Sequence, residues 1–205
     1  MNRRYLLGVV ALLAACGAAP EPEAAEPAAE SAPAPEAQPS FIPADFNPPT
    51  EVAGDGFVLV PLDTKVTEMD YKAYMSSIEH LQKTFTHSER WPREGLTLED
   101  AVKDMENEQA QWEERKSFPY AVLNPEKTEE LGCVYVRPSR KEGYDVAVKL
   151  WVTAEQYEKG FDEKLYAWTK SWVESEWPFE EAQVAYPERE IPKEEWDALP
   201  SKPRG

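Results

Sequence analysis

From Phe57 onward the chain alternates short apolar runs with stripes at helical spacing. Phe57–Val60 reads as a first short strand. Thr67, with Asp70 three residues later, has the form of a capping box, and Tyr71, Tyr74, Met75 and Ile78 then recur at helical spacing, which predicts an amphipathic helix. A second helix is signalled by Thr97 as N-cap, Asp100 three residues on and Leu96 placed to staple onto Ala101; its apolar stripe runs Leu98, Ala101, Val102, Met105, Trp112. Phe118–Leu123, Leu131–Val136 and Tyr144–Val152 are strand-like and are separated by turn-rich stretches at 124–130 and 138–143, predicting a three-stranded antiparallel meander. A third helix from about Asp162 carries Leu165, Trp168, Thr169, Trp172 and Val173 on one side and stops before Pro178. Gln183–Tyr186 reads as a last strand, and Pro192–Leu199 as a short helix with proline in its first turn.

The residues ahead of this region are of a different kind. Residues 17–40 are almost wholly Ala, Pro and Glu, with no aromatic or branched apolar residue, so they cannot bury enough surface to order themselves. Their prolines favour a semi-stiff spacer reaching up to roughly 75 Å at 3.1 Å per residue. Phe41–Thr50 reads as an extended entry to the domain. At the start, Arg3 and Arg4 precede ten apolar residues, too few for a membrane span, and the run Leu13, Ala14, Ala15, Cys16 closes the stretch. That run resembles the lipobox of bacterial lipoproteins. The resemblance implies a signal peptide over 1–15 and lipid attachment at Cys16; taken with the composition, it gives a lipidated cysteine and disordered linker over 16–50 and a globular domain over 51–205. Gly17 after the cysteine implies the periplasmic face of the outer membrane. Asn2–Leu7 also resembles a twin-arginine signal, so the export route stays open.

Charge narrows the list of partners. The chain carries a formal charge of -17 and becomes more acidic once the two signal arginines are removed, so nucleic acid and anionic membrane surfaces are disfavoured. The expected partners are the membrane through Cys16 and an envelope protein or ligand of unspecified identity. Acylation of Cys16 leaves Cys133 alone, so no internal disulfide is expected; Cys133 lies in a strand-like run and reads as a small packed hydrophobe. His80 and His87 have no neighbours at metal-ligand spacing, and no metal site is expected. Glu106, Glu108 and Tyr186 are possible acid/base groups, although carboxylates on a helical face are ordinarily just solvated. Of seven tryptophans, Trp112, Trp151, Trp168 and Trp172 read as core, whereas Trp91, Trp177 and Trp196 lie beside prolines or in terminal segments and are candidates for exposure.

The order strand, helix, helix, three strands, helix, strand resembles the GNAT acyltransferase fold. Trp91-Pro92, Leu96–Glu99, Arg115 with Phe118 and Tyr120, Leu131–Tyr135 and Trp177–Phe179 resemble a bacterial GNAT-related group. The resemblance implies an α/β (α+β) domain with a mixed, mostly antiparallel central sheet and helices on both faces. It also implies that an acyl-CoA donor, if one is used, sits beside Val148–Val152, its pyrophosphate held by a Q/R-x-x-G-x-G/A loop at a helix start. Here that stretch runs Thr153–Glu163, where Gln156 and Gly160 have the wrong spacing and Glu155, Glu158, Asp162 and Glu163 crowd the phosphate position. The expectation is therefore a binding module with no catalytic or cofactor-binding residues; acyl transfer with an unusual donor is the alternative. Fold by itself assigns neither.

Overall fold

The computed structural model describes residues 41–203. Cys16, the signal peptide and most of the expected linker lie outside the described residues. Within them, six strands form one sheet in the order β1-β2-β3-β4-β5-β6. They are β1 (Val52–Gly54), β2 (Phe57–Pro61), β3 (Phe118–Leu123), β4 (Glu130–Pro138), β5 (Val146–Val152) and β6 (Val184–Ala185). The first five are antiparallel to their neighbours, and β6 runs parallel to β5. The helices are α1 (Thr67–Met75), α2 (Ile78–Leu81), α3 (Leu98–Glu113), α4 (Ala154–Glu158), α5 (Phe161–Glu176) and α6 (Lys193–Ala198). A π-turn continues α2 over Gln82–Thr86, and α4 and α5 form the crossover that a parallel β5–β6 pair requires.

The expected meander is present. Strand β3 is buried at all six positions because both faces of the sheet are covered, which is why it appears in the sequence as an apolar run without alternation. One core lies on the α5 side, where Leu165, Trp172 and Val173 meet Phe57, Tyr120, Val134 and Val148. The other lies on the side of α1 and α3, where Tyr74, Leu81, Ala101 and Met105 meet Ala121, Cys133 and Trp151.

Strand β4 changes face within its first residues. Val122 pairs with Gly132 but Leu123 pairs with Glu130, so Leu131 is an extra residue in the ladder. Such a bulge re-aims side chains. Leu131 joins the α5 core while Cys133 joins the opposite one, although a regular strand would put residues two apart on the same face. At Gly132 the backbone of β5 comes so close that a Cβ would lie 2.1 Å from the Trp151 carbonyl oxygen.

Several expectations need correction. Strand β1 was not expected; it pairs with β2 through the two-residue turn Asp55-Gly56, with Gly56 at φ 84°. The packed domain begins by Phe41, before the expected boundary at 51. Ile42 is 2% exposed, and Arg115 Nη2 donates to the carbonyls of Pro43 and Phe46, both at 2.8 Å. The proline-rich composition of 41–50 concealed these apolar anchors. Thr97 and Asp100 form the expected capping box, but Thr67 and Asp70 do not. Thr67 Oγ1 donates instead to the Thr64 carbonyl, and the Asp70 side chain is buried. On α3, Leu98 and Val102 are exposed because contact with the body runs through Ala101 and Met105. Val102 is about 60° round the helix from Met105, and Leu98 sits in the first turn. Trp177, a candidate for exposure, is 4% exposed, its ring set among Phe46, Phe118 and Trp172.

Gly132→Ala is expected to destabilise the protein by about 1–3 kcal/mol, since either β4 or β5 must move to clear the added methyl. Urea unfolding of the two proteins measures this, and equal midpoints would show that the strands are not held at this spacing.

Candidate functional site

Strands β5 and β6 are paired only at Val146↔Val184 and Ala147↔Ala185. Beyond these pairs β5 continues to Val152, while the other chain turns away through Tyr186–Ile191, and a groove opens between them. Its volume is about 230 Å³, and it is lined by Val148–Val152, Tyr186–Arg189, Tyr157 and Asp162 from the crossover, and His80 from α2. This is the place the sequence resemblance assigns to an acyl donor. A space of that size is below the roughly 300–1,000 Å³ usual for a small-molecule pocket.

The turn after β6 furnishes the groove with charge. Glu188 N donates to the Ile191 carbonyl at 2.8 Å and Arg189 N to the Tyr186 carbonyl at 3.2 Å, and this tight geometry holds Glu188 at φ 67°, a conformation uncommon for glutamate. Glu188 reaches Lys149 Nζ on β5 at 3.1 Å and hydrogen-bonds the ring of His87. Burial acts to raise its pKa, but the His87 hydrogen bond and the Lys149 charge outweigh it and hold Glu188 below the ordinary glutamate value. Arg189 makes a two-pronged pair with Asp162, Nη1 to Oδ2 at 2.5 Å and Nη2 to Oδ1 at 2.7 Å. Asp162 lies in the first turn of α5 and is 7% exposed.

The backbone donors after β5 are also engaged. Ala154 N donates to Ser77 Oγ at 2.9 Å and Gln156 N to Thr153 Oγ1 at 3.3 Å. Of the four acids expected to crowd the phosphate position, Asp162 alone is buried in the groove wall. Glu155 is exposed and pairs with Lys159 at 2.6 Å, and Glu158 and Glu163 are exposed as well. Lys164 points away from these acids and pairs with Asp55 at 2.8 Å.

The acid/base candidates do not converge. Glu106 is exposed on α3, and Glu108 accepts from Arg137 Nη2 at 2.7 Å on the opposite side of the sheet. Tyr186 does line the groove, with its hydroxyl buried and unpartnered. Burial, reinforced by the nearby acids Glu174 and Glu190, raises its pKa, so the phenol keeps its proton at neutral pH and can donate but not act as a base. His80, whose pKa is lowered by burial, packs its ring 4.8 Å from that of Tyr157. Spacing gave no sign of Lys149, Glu188 and Arg189 as groove residues. They meet only because β6 lies parallel to β5 and its following turn doubles back.

No protein-family model and no curated protein matches the sequence. Solved structures do match in fold. The ribosomal-protein-S5-alanine acetyltransferase from Vibrio fischeri superposes with a TM-score of 0.50 at 16% identity, over 72% of this chain and 78% of that one. An acetyltransferase from Thermus thermophilus matches at TM-score 0.43 and 15% identity, over 57% and 69% of the two chains. RimL, a ribosomal L7/L12 alpha-N-protein acetyltransferase in complex with coenzyme A, matches at 0.46 and 12%, over 58% and 65%.

The ion pairs in the groove predict an acid-sensitive stability. Glu188 faces His87 from the loop after the π-turn, Lys149 from β5 and Lys193 from α6. Because its pKa is lowered in the folded state, its contribution is present above the ordinary glutamate range and is lost as pH falls through the folded value. Glu188→Gln should therefore flatten the acid limb of a stability-versus-pH curve measured by urea unfolding. An unchanged acid limb would show that the pairing does not stabilise the fold. With the groove described, the described residues form an α+β domain of GNAT-like fold.

Proposed function

We propose that the chain is a lipid-anchored envelope protein whose GNAT-like domain binds a partner rather than transferring an acyl group. The observation that carries this reading is the Asp162–Arg189 pair at the start of α5. A helix N-terminus holds a pyrophosphate through free N–H groups and a positive dipole end. In this chain Asp162 lies in the first turn of that helix and its carboxylate holds the Arg189 guanidinium, so the cation beside the helix start is already committed and not free for a phosphate. The Ser77 and Thr153 hydroxyls use two of the N–H groups that a phosphate loop would offer.

The anchor reading rests on Arg3, Arg4 and the run ending at Cys16, with Gly17 favouring the outer membrane. Two or more acyl chains make such an anchor stable, and the linker would hold the domain away from the bilayer. Acetyl-CoA is a cytosolic cofactor, so an exported domain would ordinarily not meet it. Among the described residues, no helix is long and apolar enough to cross a membrane. Acyl transfer with a small or unusual donor is the second reading. It is favoured by the groove itself and by the protonated Tyr186 hydroxyl within it.

Two measurements test these readings. Titration calorimetry with acetyl-CoA and longer acyl-CoAs should give no saturable heat, whereas micromolar binding would overturn the binding-module reading in favour of the second. Cys16→Ala should abolish incorporation of labelled fatty acid and release a folded domain into the soluble fraction; label retained by the variant would remove the lipoprotein reading.

A further inference from the structure

On the side of the sheet away from the groove, two carboxyl groups and a thiol meet inside the protein. Asp70 comes from α1, and Glu130 and Cys133 come from β4; they are 8%, 3% and 0% exposed. Cys133 Sγ lies 3.1 Å from Glu130 Oε1 and 3.7 Å from Asp70 Oδ1, and one donor atom from each residue falls within 4.8 Å of the other two. Glu130 Oε2 is enclosed with no hydrogen-bond partner. The nearest charges acting on Asp70 from α3 are again acids, Asp104 and Glu108. Arg137, the nearby cation, is committed to Glu108 and Ser117. Buried acids ordinarily carry a cationic partner, and among the described residues the groups acting on this pair of carboxyls are further acids, the thiol and one another.

We propose that Asp70, Glu130 and Cys133 form a binding site for a thiophilic divalent cation of the zinc type. Tetrahedral zinc, with Zn–S at about 2.3 Å and Zn–O at about 2.0 Å, spaces its donor atoms roughly 3.3–3.5 Å apart, and the two observed sulfur–oxygen distances bracket that range. The thiol selects zinc over calcium or magnesium, which take oxygen ligands. Binding displaces the thiol proton and any proton held by the carboxyls, and these leave to solvent. A proton shared between the Asp70 and Glu130 carboxyls would neutralise one charge, whereas a cation held by both carboxyls and the thiol neutralises the whole cluster. Asp70 also lines a cavity of about 240 Å³ bordered by Tyr74, Trp91, Asp104 and Tyr135, so its side of the cluster is the one from which an ion would enter.

The test uses the full chain with Cys16→Ala, in which Cys133 is the sole thiol. After treatment with a chelator and dialysis against zinc alone, the protein should retain about one zinc per chain. Cobalt in place of zinc should give the near-ultraviolet absorption of a cobalt thiolate. Cys133→Ser should remove that absorption, and Glu130→Gln should weaken zinc binding roughly tenfold or more. Failure to take up zinc saturably would overturn the proposal. Uptake without the thiolate absorption would do the same by assigning the ion to surface acids. Should Cys133→Ser fail to fold, the cobalt spectrum of the parent protein decides alone.

Discussion

The close approach of β4 and β5 at Gly132 is the constraint on which the rest of the domain depends. With the Trp151 carbonyl where a Cβ would stand, glycine alone fits, and the extra residue Leu131 is absorbed beside it. That local irregularity has long-range consequences. It sends Leu131 into the α5 core and turns Glu130 and Cys133 toward α1, so one bulge both completes one core and builds the buried polar cluster of the other. Thr153 N then donates to the Leu131 carbonyl at 2.9 Å, which fixes where β5 ends and the crossover to β6 begins. The groove inherits its position from that point.

Much of this architecture could be read from residue pattern, and the exceptions have identifiable causes. Thr67–Asp70 and Thr97–Asp100 have the same spacing, yet only the second is a capping box. Spacing reports that a carboxyl can reach a helix end, not whether solvent is there to receive it. Asp100 is on the surface, whereas Asp70 faces β4 and is drawn into contact with Cys133. The segment 41–50 misleads in a related way: its prolines point to a linker, but Phe41, Ile42 and Phe46 supply the apolar area that holds it down. Asp55-Gly56 is the one local signal sufficient to reveal β1, since that pair suits a two-residue hairpin.

The site residues were less legible because their partners are distant in sequence. Asp162 looks like its neighbours Glu155, Glu158 and Glu163 until Arg189 is placed beside it by the parallel return of β6. Glu130 and Cys133 are three apart, which on a regular strand puts them on opposite faces, so the pattern argues against the contact that the bulge creates. Cys133 was correctly read as buried, but the same apolar run gave no hint of two carboxyls around it.

The two faces of the sheet thus treat buried acids in opposite ways. On the groove side Asp162 is neutralised by a two-pronged guanidinium, which holds Arg189 charged and completes the wall of the groove. On the other side burial raises the pKa values of both Asp70 and Glu130, and the proximity of Asp70 raises that of Glu130 further. The Cys133 thiol is pushed up for the same reasons. An internal ion pair is complete in itself, and a structural role accounts for Asp162 fully. Two carboxyls and a thiol without a cation are held in place by their protons, so a cation that enters must displace them. The first face is therefore closed by its own ion pair, and the second is where the proposed cation would act.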